Sequence, residues 1–167
     1  VVLEAIAEHA RTHPYQNPVL GSGFLAPAFG LEGPTAAQLD AIVPDRPALI
    51  IDEGGHTGWA NSLALEAAGI SRDTPDPVPG AHFFQRDEEG NPTGWLVEGA
   101  AIDPVTEALG VISEEALALA APDFFKEMSA VGLTAAFDAG MIDTGEFGRR
   151  LALKMVEAGE FPVRMVA

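Results

Sequence analysis

Gly132-Leu133-Thr134-Ala135-Ala136-Phe137-Asp138 is an apolar run closed by an acid. It leads to Gly145 through Glu157, a glycine at 159, and then Phe161-Pro162-Val163-Arg164-Met165-Val166. The first and last runs are predicted strands, and the segment between them is a predicted helix ending at Gly159. Upstream, Ser113-Glu114-Glu115 is an N-cap followed by acids in the first helical turn. It opens a helix to about Ala130, with apolar positions at Ala116, Leu117, Ala120, Phe124, Met128 and Val131. Pro122 falls inside that helix and predicts a kink or a break into two pieces. The order helix, strand, helix, strand is a βα unit, whose strands run parallel.

Upstream of this the pattern is less regular. Val2, Leu3, Ile6 and Ala10 have helical spacing, and Pro14 ends that helix. Val19 to Phe24 reads as a short strand entering a glycine-rich turn. Thr35 is a predicted N-cap for a helix over Ala36 to Ile42. Pro47-Ala48-Leu49-Ile50-Ile51-Asp52 reads as a buried strand. A helix is expected from Trp59 to Ala68, with Gly69 just past its end. His82 to Arg86 and Thr93 to Val97 flank Asp87-Glu88-Glu89-Gly90-Asn91-Pro92 as a hairpin, and a helix follows from Gly99 to Leu109.

Of the 167 residues, 47% are apolar and 20% charged, ordinary for a globular chain. No apolar run approaches the ~18 residues of a membrane span. The net charge of −16, from 25 acids and 9 bases, repels phosphate backbones and argues against nucleic-acid binding. The absence of cysteine excludes disulfides, thiolate zinc sites and cysteine nucleophiles. It is compatible with a cytoplasmic setting. The chain opens at Val1 without Met and stops on an apolar run, so it is expected to be a segment of something longer.

Asp52-Glu53-Gly54-Gly55-His56-Thr57-Gly58-Trp59-Ala60-Asn61-Ser62 carries the most chemistry. A His, a Trp and an Asn gather where a strand ends on a glycine-rich loop, a usual place for ligands. His56 can donate to a carbonyl or carry a proton near neutral pH, and Trp59 can form an apolar wall. The alternative is that His56 and Asn61 only satisfy loop carbonyls and cap a helix. Glu98, between Trp95-Leu96-Val97 and Gly99-Ala100, is a functional acid or a first-turn charge favoured by the helix dipole. Asp138 ends its strand as a site residue does in a barrel, or is a turn residue before Gly140. His9 and His13 read as a surface pair, and with His56 and His82 they complete no metal-ligand spacing. Neither a phosphate loop nor a Gly-x-Ser-x-Gly elbow is present.

Several stretches, in order, resemble amidohydrolase family 3, the group that includes N-substituted formamide deformylase-like enzymes. They are Gly21-Ser22-Gly23-Phe24; Thr35 to Asp40 with Pro44-Asp45-Arg46-Pro47; Gly55-His56, Trp59 and Asn61-Ser62 through Ile70, with Thr74-Pro75-Asp76-Pro77; and Arg86 through Gly94 with Glu98-Gly99-Ala100. Gly132-Leu133-Thr134 and Asp138 are similar to the family's Gly-Ile-Thr strand. Phe24 replaces the usual Trp, and Gly55 departs from the family pattern. The resemblance implies a mixed α+β and α/β fragment of a TIM-barrel amidohydrolase. Residues 1–112 would be an insertion subdomain bordering the substrate pocket, and 113–167 a partial barrel segment. It implies a parent hydrolase acting on a non-peptide carbon–nitrogen bond of a small amide, with zinc or another divalent metal. No metal ligand is carried over onto this chain, which is expected to be inactive alone. His56 is the expected catalytic residue, and Trp59, Asn61, Glu98 and Asp138 are expected at the substrate. Unpaired strand edges at 133–138 and 161–166 make self-association an expectation. The alternative reading is a non-catalytic ligand-binding or regulatory protein of the exoenzyme-regulation type.

Overall fold

The structure, a computed structural model, describes residues 2–111, 113–137 and 145–166. It divides into two compact units, Val1–Val111 and Ile112–Ala167. In the first, α1 (Val2–Thr12) buries Ile6 and Ala10 on its apolar face. It is followed by β1 (Val19–Phe24), α2 (Ala36–Asp40), β2 (Ala48–Asp52), β3 (Thr57–Ala60), α3 (Ser62–Ala67), β4 (Phe83–Arg86), β5 (Pro92–Val97) and α4 (Gly99–Ala108). The strands form one mixed sheet in the order β1-β2-β3-β5-β4. β1 runs parallel to β2, and the other neighbours pair antiparallel.

Two sequence expectations change here. The helix expected from Trp59 to Ala68 is a strand followed by a shorter helix: β3 hydrogen-bonds to both β2 and β5, and α3 begins only at Ser62. Asp52 to Thr57 is therefore a hairpin turn rather than a loop entering a helix. The helix expected over Ala36–Ile42 ends as regular helix at Asp40, although Ala41 is still helical and the Ile42 and Val43 N–H groups both donate back to the Leu39 carbonyl, so the chain keeps turning up to Pro44.

Side-chain alternation sorts the apolar residues onto the two faces of the sheet. Leu49, Ala60, Phe84 and Leu96 meet Ala64 and Leu65 of α3 and Ala101, Ile102 and Val105 of α4. On the other face Val19, Phe24, Ala48, Ile50 and Trp59 meet Ile6 and Ala10 of α1, with Leu39 and Val43. Fully burying side chains of this size contributes about 1.5–3 kcal/mol each. Gly94 lets β5 pass close beneath α2. It has φ +101°, and a Cβ there would stand 2.6 Å from both the Ala36 nitrogen and the Ala60 oxygen. Arg46 fastens the end of α1: its buried guanidinium donates to the Ala10 carbonyl at 2.6 Å, one of the carbonyls a helix end leaves unpaired.

The second unit contains α5 (Glu114–Ala130), β6 (Ala135–Phe137), α6 (Gly145–Ala158) and β7 (Arg164–Val166). β6 and β7 pair in parallel, as a βα unit requires. Ser113 accepts from the Ala116 N–H as the N-cap of α5. That helix runs unbroken through Pro122, because its 17 residues supply hydrogen bonds on both sides of the missing donor. Met155 and Val163 are buried, whereas Phe124, Val131, Phe137, Leu153 and Val156 stay exposed. Among the described residues no helix is long and apolar enough to cross a membrane.

Candidate functional site

The hairpin between β2 and β3 is built around Asp52. Its Oδ1 accepts the His56 N–H at 2.8 Å and the Thr57 N–H at 2.9 Å. An Asp before Gly-Gly between two apolar runs is a turn signal, and here it fixes where His56 stands. The sheet then sets its neighbour: Thr57 pairs with Val97, so the next row brings His56 opposite Glu98. The Glu98 N–H donates to the His56 carbonyl at 2.7 Å. The side chains close the same pair, with His56 Nδ1 2.9 Å from Glu98 Oε2. A carboxylate only accepts, so the proton between them is on Nδ1. The imidazole therefore leaves Nε2 as the atom able to take or give a proton.

Glu98 holds an unusual backbone. With φ +69° and ψ +161° it is the one non-glycine residue with positive φ among the described residues. That region is essentially glycine-only and costs on the order of 1–3 kcal/mol for any other side chain. Glu98 also occupies the N-cap position of α4 without making a side-chain capping bond, since its carboxylate turns to His56. The strain is thus held at a residue whose carboxylate makes its hydrogen bond to an exposed histidine.

The hydrogen bond to Glu98, then that residue's charge, raise the His56 pKa above 6.5, with a smaller contribution from the Asp52 charge. Because the folded value is the higher one, the resulting stabilisation is complete below pH 6.5. It is lost as pH rises through the shifted pKa. An NMR titration should show His56 titrating above an unstructured histidine in wild type, and near the ordinary value in Glu98→Gln. Equal midpoints in the two proteins would show that the pair does not form.

Trp59 and Asn61, expected at the substrate, are both 0% exposed. Trp59 packs edge-on against Phe24 and Phe29, and its Nε1 donates to the Thr35 carbonyl at 2.7 Å. Asn61 is the N-cap of α3, so the helix-capping alternative holds for it. Its Oδ1 accepts from the Ala48 and Ala64 N–H groups, and its Nδ2 donates to the Val43 and Arg46 carbonyls. Those four bonds use its whole hydrogen-bonding capacity. Asp138 lies outside the described residues. Asp52, which heads the stretch singled out in the sequence, bonds the backbone of His56, and His82, weighed there only as a metal ligand, stands just before β4. A surface hollow of about 410 Å³, lined by Ser62, Leu65, Gly69, Ile70 and Pro92 among others, includes none of the expected site residues.

The fold is one found in metal-dependent hydrolases. The structure of an uncharacterized metal-dependent hydrolase from Pyrococcus horikoshii OT3 matches 99% of this chain with a TM-score of 0.56 and 18% identity, over 30% of its own length. The amidohydrolase family model matches residues 1–167, and the chain belongs to that family. It is 39% identical over 142 residues to the exoenzymes regulatory protein AepA of Pectobacterium carotovorum subsp. carotovorum, covering 83% of this chain and 30% of that protein. It is 42% identical over 101 residues to the N-substituted formamide deformylase of Arthrobacter pascens, covering 60% of this chain and 18% of that protein. The chain thus spans less than a third of the length of these relatives. Among the described residues no group of three or more His, Asp or Glu side chains could hold the metal that the family implies.

Proposed function

We propose that this chain is part of a metal-dependent amidohydrolase that cleaves the carbon–nitrogen bond of a small, non-peptide amide, and that it brings His56 and Glu98 to the substrate. The observation that carries this reading is the strained backbone of Glu98, held where its carboxylate fixes the tautomer of an exposed imidazole. Glu98 orients His56 and favours its protonated form. His56 Nε2 then donates to the substrate oxygen as negative charge develops there, or passes a proton to the leaving nitrogen. Trp59 and Asn61 support the pocket wall from behind. In this reading the first unit is an insertion in a TIM-type barrel, the second supplies two of its βα strands, and the metal ligands are contributed by other parts of a cytoplasmic enzyme.

His56→Ala in the full-length protein is expected to lower kcat/KM by about 10²-fold, with metal content by elemental analysis unchanged. Unchanged kinetics would remove His56 from the mechanism. The likeness to AepA, whose name is regulatory, favours a second reading in which the same pocket binds a ligand without turnover. A full-length protein that binds small amides but never hydrolyses them would select it.

A further inference from the structure

Three neighbouring strands converge on the row that holds the His56–Glu98 pair. Val97 of β5 is paired with Thr57 of β3 on one side and Phe83 of β4 on the other. One residue beyond these pairs stand His56 and Glu98, joined by the Glu98 N–H to the His56 carbonyl, and His82, the residue just before β4. His82 Nδ1 accepts the Ala100 N–H of the first turn of α4 at 3.1 Å. A ring nitrogen that accepts carries no proton, so the His82 proton is on Nε2. The two imidazoles flanking Glu98 are therefore held in opposite tautomers: His56 with Nδ1–H and a free Nε2, His82 with Nε2–H as a donor.

The capping arrangement separates a binding role from a purely structural one. Glu98 stands at the N-cap but does not cap, and His82 takes over that bond. Asp, Asn or Ser would cap at least as well. What a histidine adds is a second nitrogen whose donor character the cap itself fixes. His82 Nε2 has no partner among the described residues, and the ring is partly buried, so it is not free to swing. We infer that His82 is a specificity residue of this site, its Nε2–H binding an oxygen of the substrate on the far side of Glu98 from His56. This rests on the reading that His56 and Glu98 face the substrate. Two strand spacings, about 10 Å between backbones, separate the histidines. His82 therefore binds an acceptor distinct from the amide at His56, on a small molecule with polar groups at both ends. The chain's charge of −16 favours a neutral molecule over an anion.

The test is a titration of the chain with N-formylglycinamide, a neutral probe with a formamide at one end and a carboxamide at the other, into the millimolar range. Imidazole nitrogens are followed by long-range ¹⁵N–¹H correlation. The inference expects His82 as the Nε2–H tautomer in the free chain, and saturable shifts at both His56 and His82. His82→Gln, which keeps both an acceptor for Ala100 and a donor, should bind within about threefold of wild type. His82→Ala should bind about tenfold more weakly. Shifts at His56 alone, or an Nδ1–H tautomer at His82, overturn the role of His82 and leave the His56 reading in place. No shift at either histidine overturns both.

Discussion

Glu98→Gly should lower activity about 10²-fold in the full-length protein while unfolding later than Glu98→Ala, which loses the same carboxylate. The backbone at Glu98, φ +69° and ψ +161°, is open to glycine and costs another residue about 1–3 kcal/mol. Glycine relieves that strain and gives back up to about 1 kcal/mol in chain entropy. Glu98→Ala loses the same carboxylate but keeps a Cβ in the same region, so it gains no relief. Denaturant unfolding should therefore place Glu98→Gly above Glu98→Ala by about 1–2 kcal/mol, while both proteins lose the raised His56 pKa. If the two variants unfold at the same midpoint, no strain is stored at this position. The argument that Glu98 is held there for its chemistry then fails.

Asn61→Ala should destabilise the first unit by about 3–5 kcal/mol. Asn61 is completely buried, and its loss strands two carbonyls, at Val43 and Arg46, and the Ala48 N–H, while the Ala64 N–H keeps only its bond to the Asn61 backbone carbonyl. Each buried polar group left without a partner costs about 1–3 kcal/mol, reduced where the structure relaxes or admits water. Asn61→Asp sharpens the test, since its shape is nearly the same. Oδ1 can still accept from Ala48 and Ala64, but a carboxylate oxygen would then face the Val43 and Arg46 carbonyls where Nδ2 donated. Urea unfolding should show a loss for Asp close to that for Ala. A loss under about 1 kcal/mol for either would mean that the network is not what joins α3 to β2.

These two residues also show how far the sequence could be read. Asn61 stood in the stretch that carries the family likeness, and its two readings, ligand contact and helix cap, differ only in what its side chain meets. That depends on Val43 and Arg46, which lie on a separate segment and leave no local mark. β3 escaped because Gly58 and Ala60 are small: the face packed against Ile102 and Leu96 needs little volume, so the alternation that betrays a strand is faint. Trp59 followed by Asn-Ser then looked like the entry to a helix. The strands with bulkier apolar runs, Val19 to Phe24 and Ala48 to Asp52, were legible, as was the hairpin around Asp87 to Asn91. The parallel pairing of β6 and β7 followed from the helix between them. The positive φ of Glu98 had no signature, because an acid before Gly-Ala is what any helix start can show. His82 was hidden because its side-chain partner, the Ala100 N–H at the start of α4, belongs to a later part of the chain.

The order of strands in the first unit has a consequence for assembly. β2 with β3, and β4 with β5, are local hairpins, closing between partners such as Leu49 and Ala60, or Arg86 and Pro92. β3 meets β5 only across a long stretch of chain, at pairs such as Thr57 and Val97. Short loops close first, and distant pairings follow. His56 belongs to one hairpin, and Glu98 and His82 to the other. Their row is thus a seam between two pieces that form separately, and the hydrogen bond from His56 to Glu98 exists only once those pieces have docked in register.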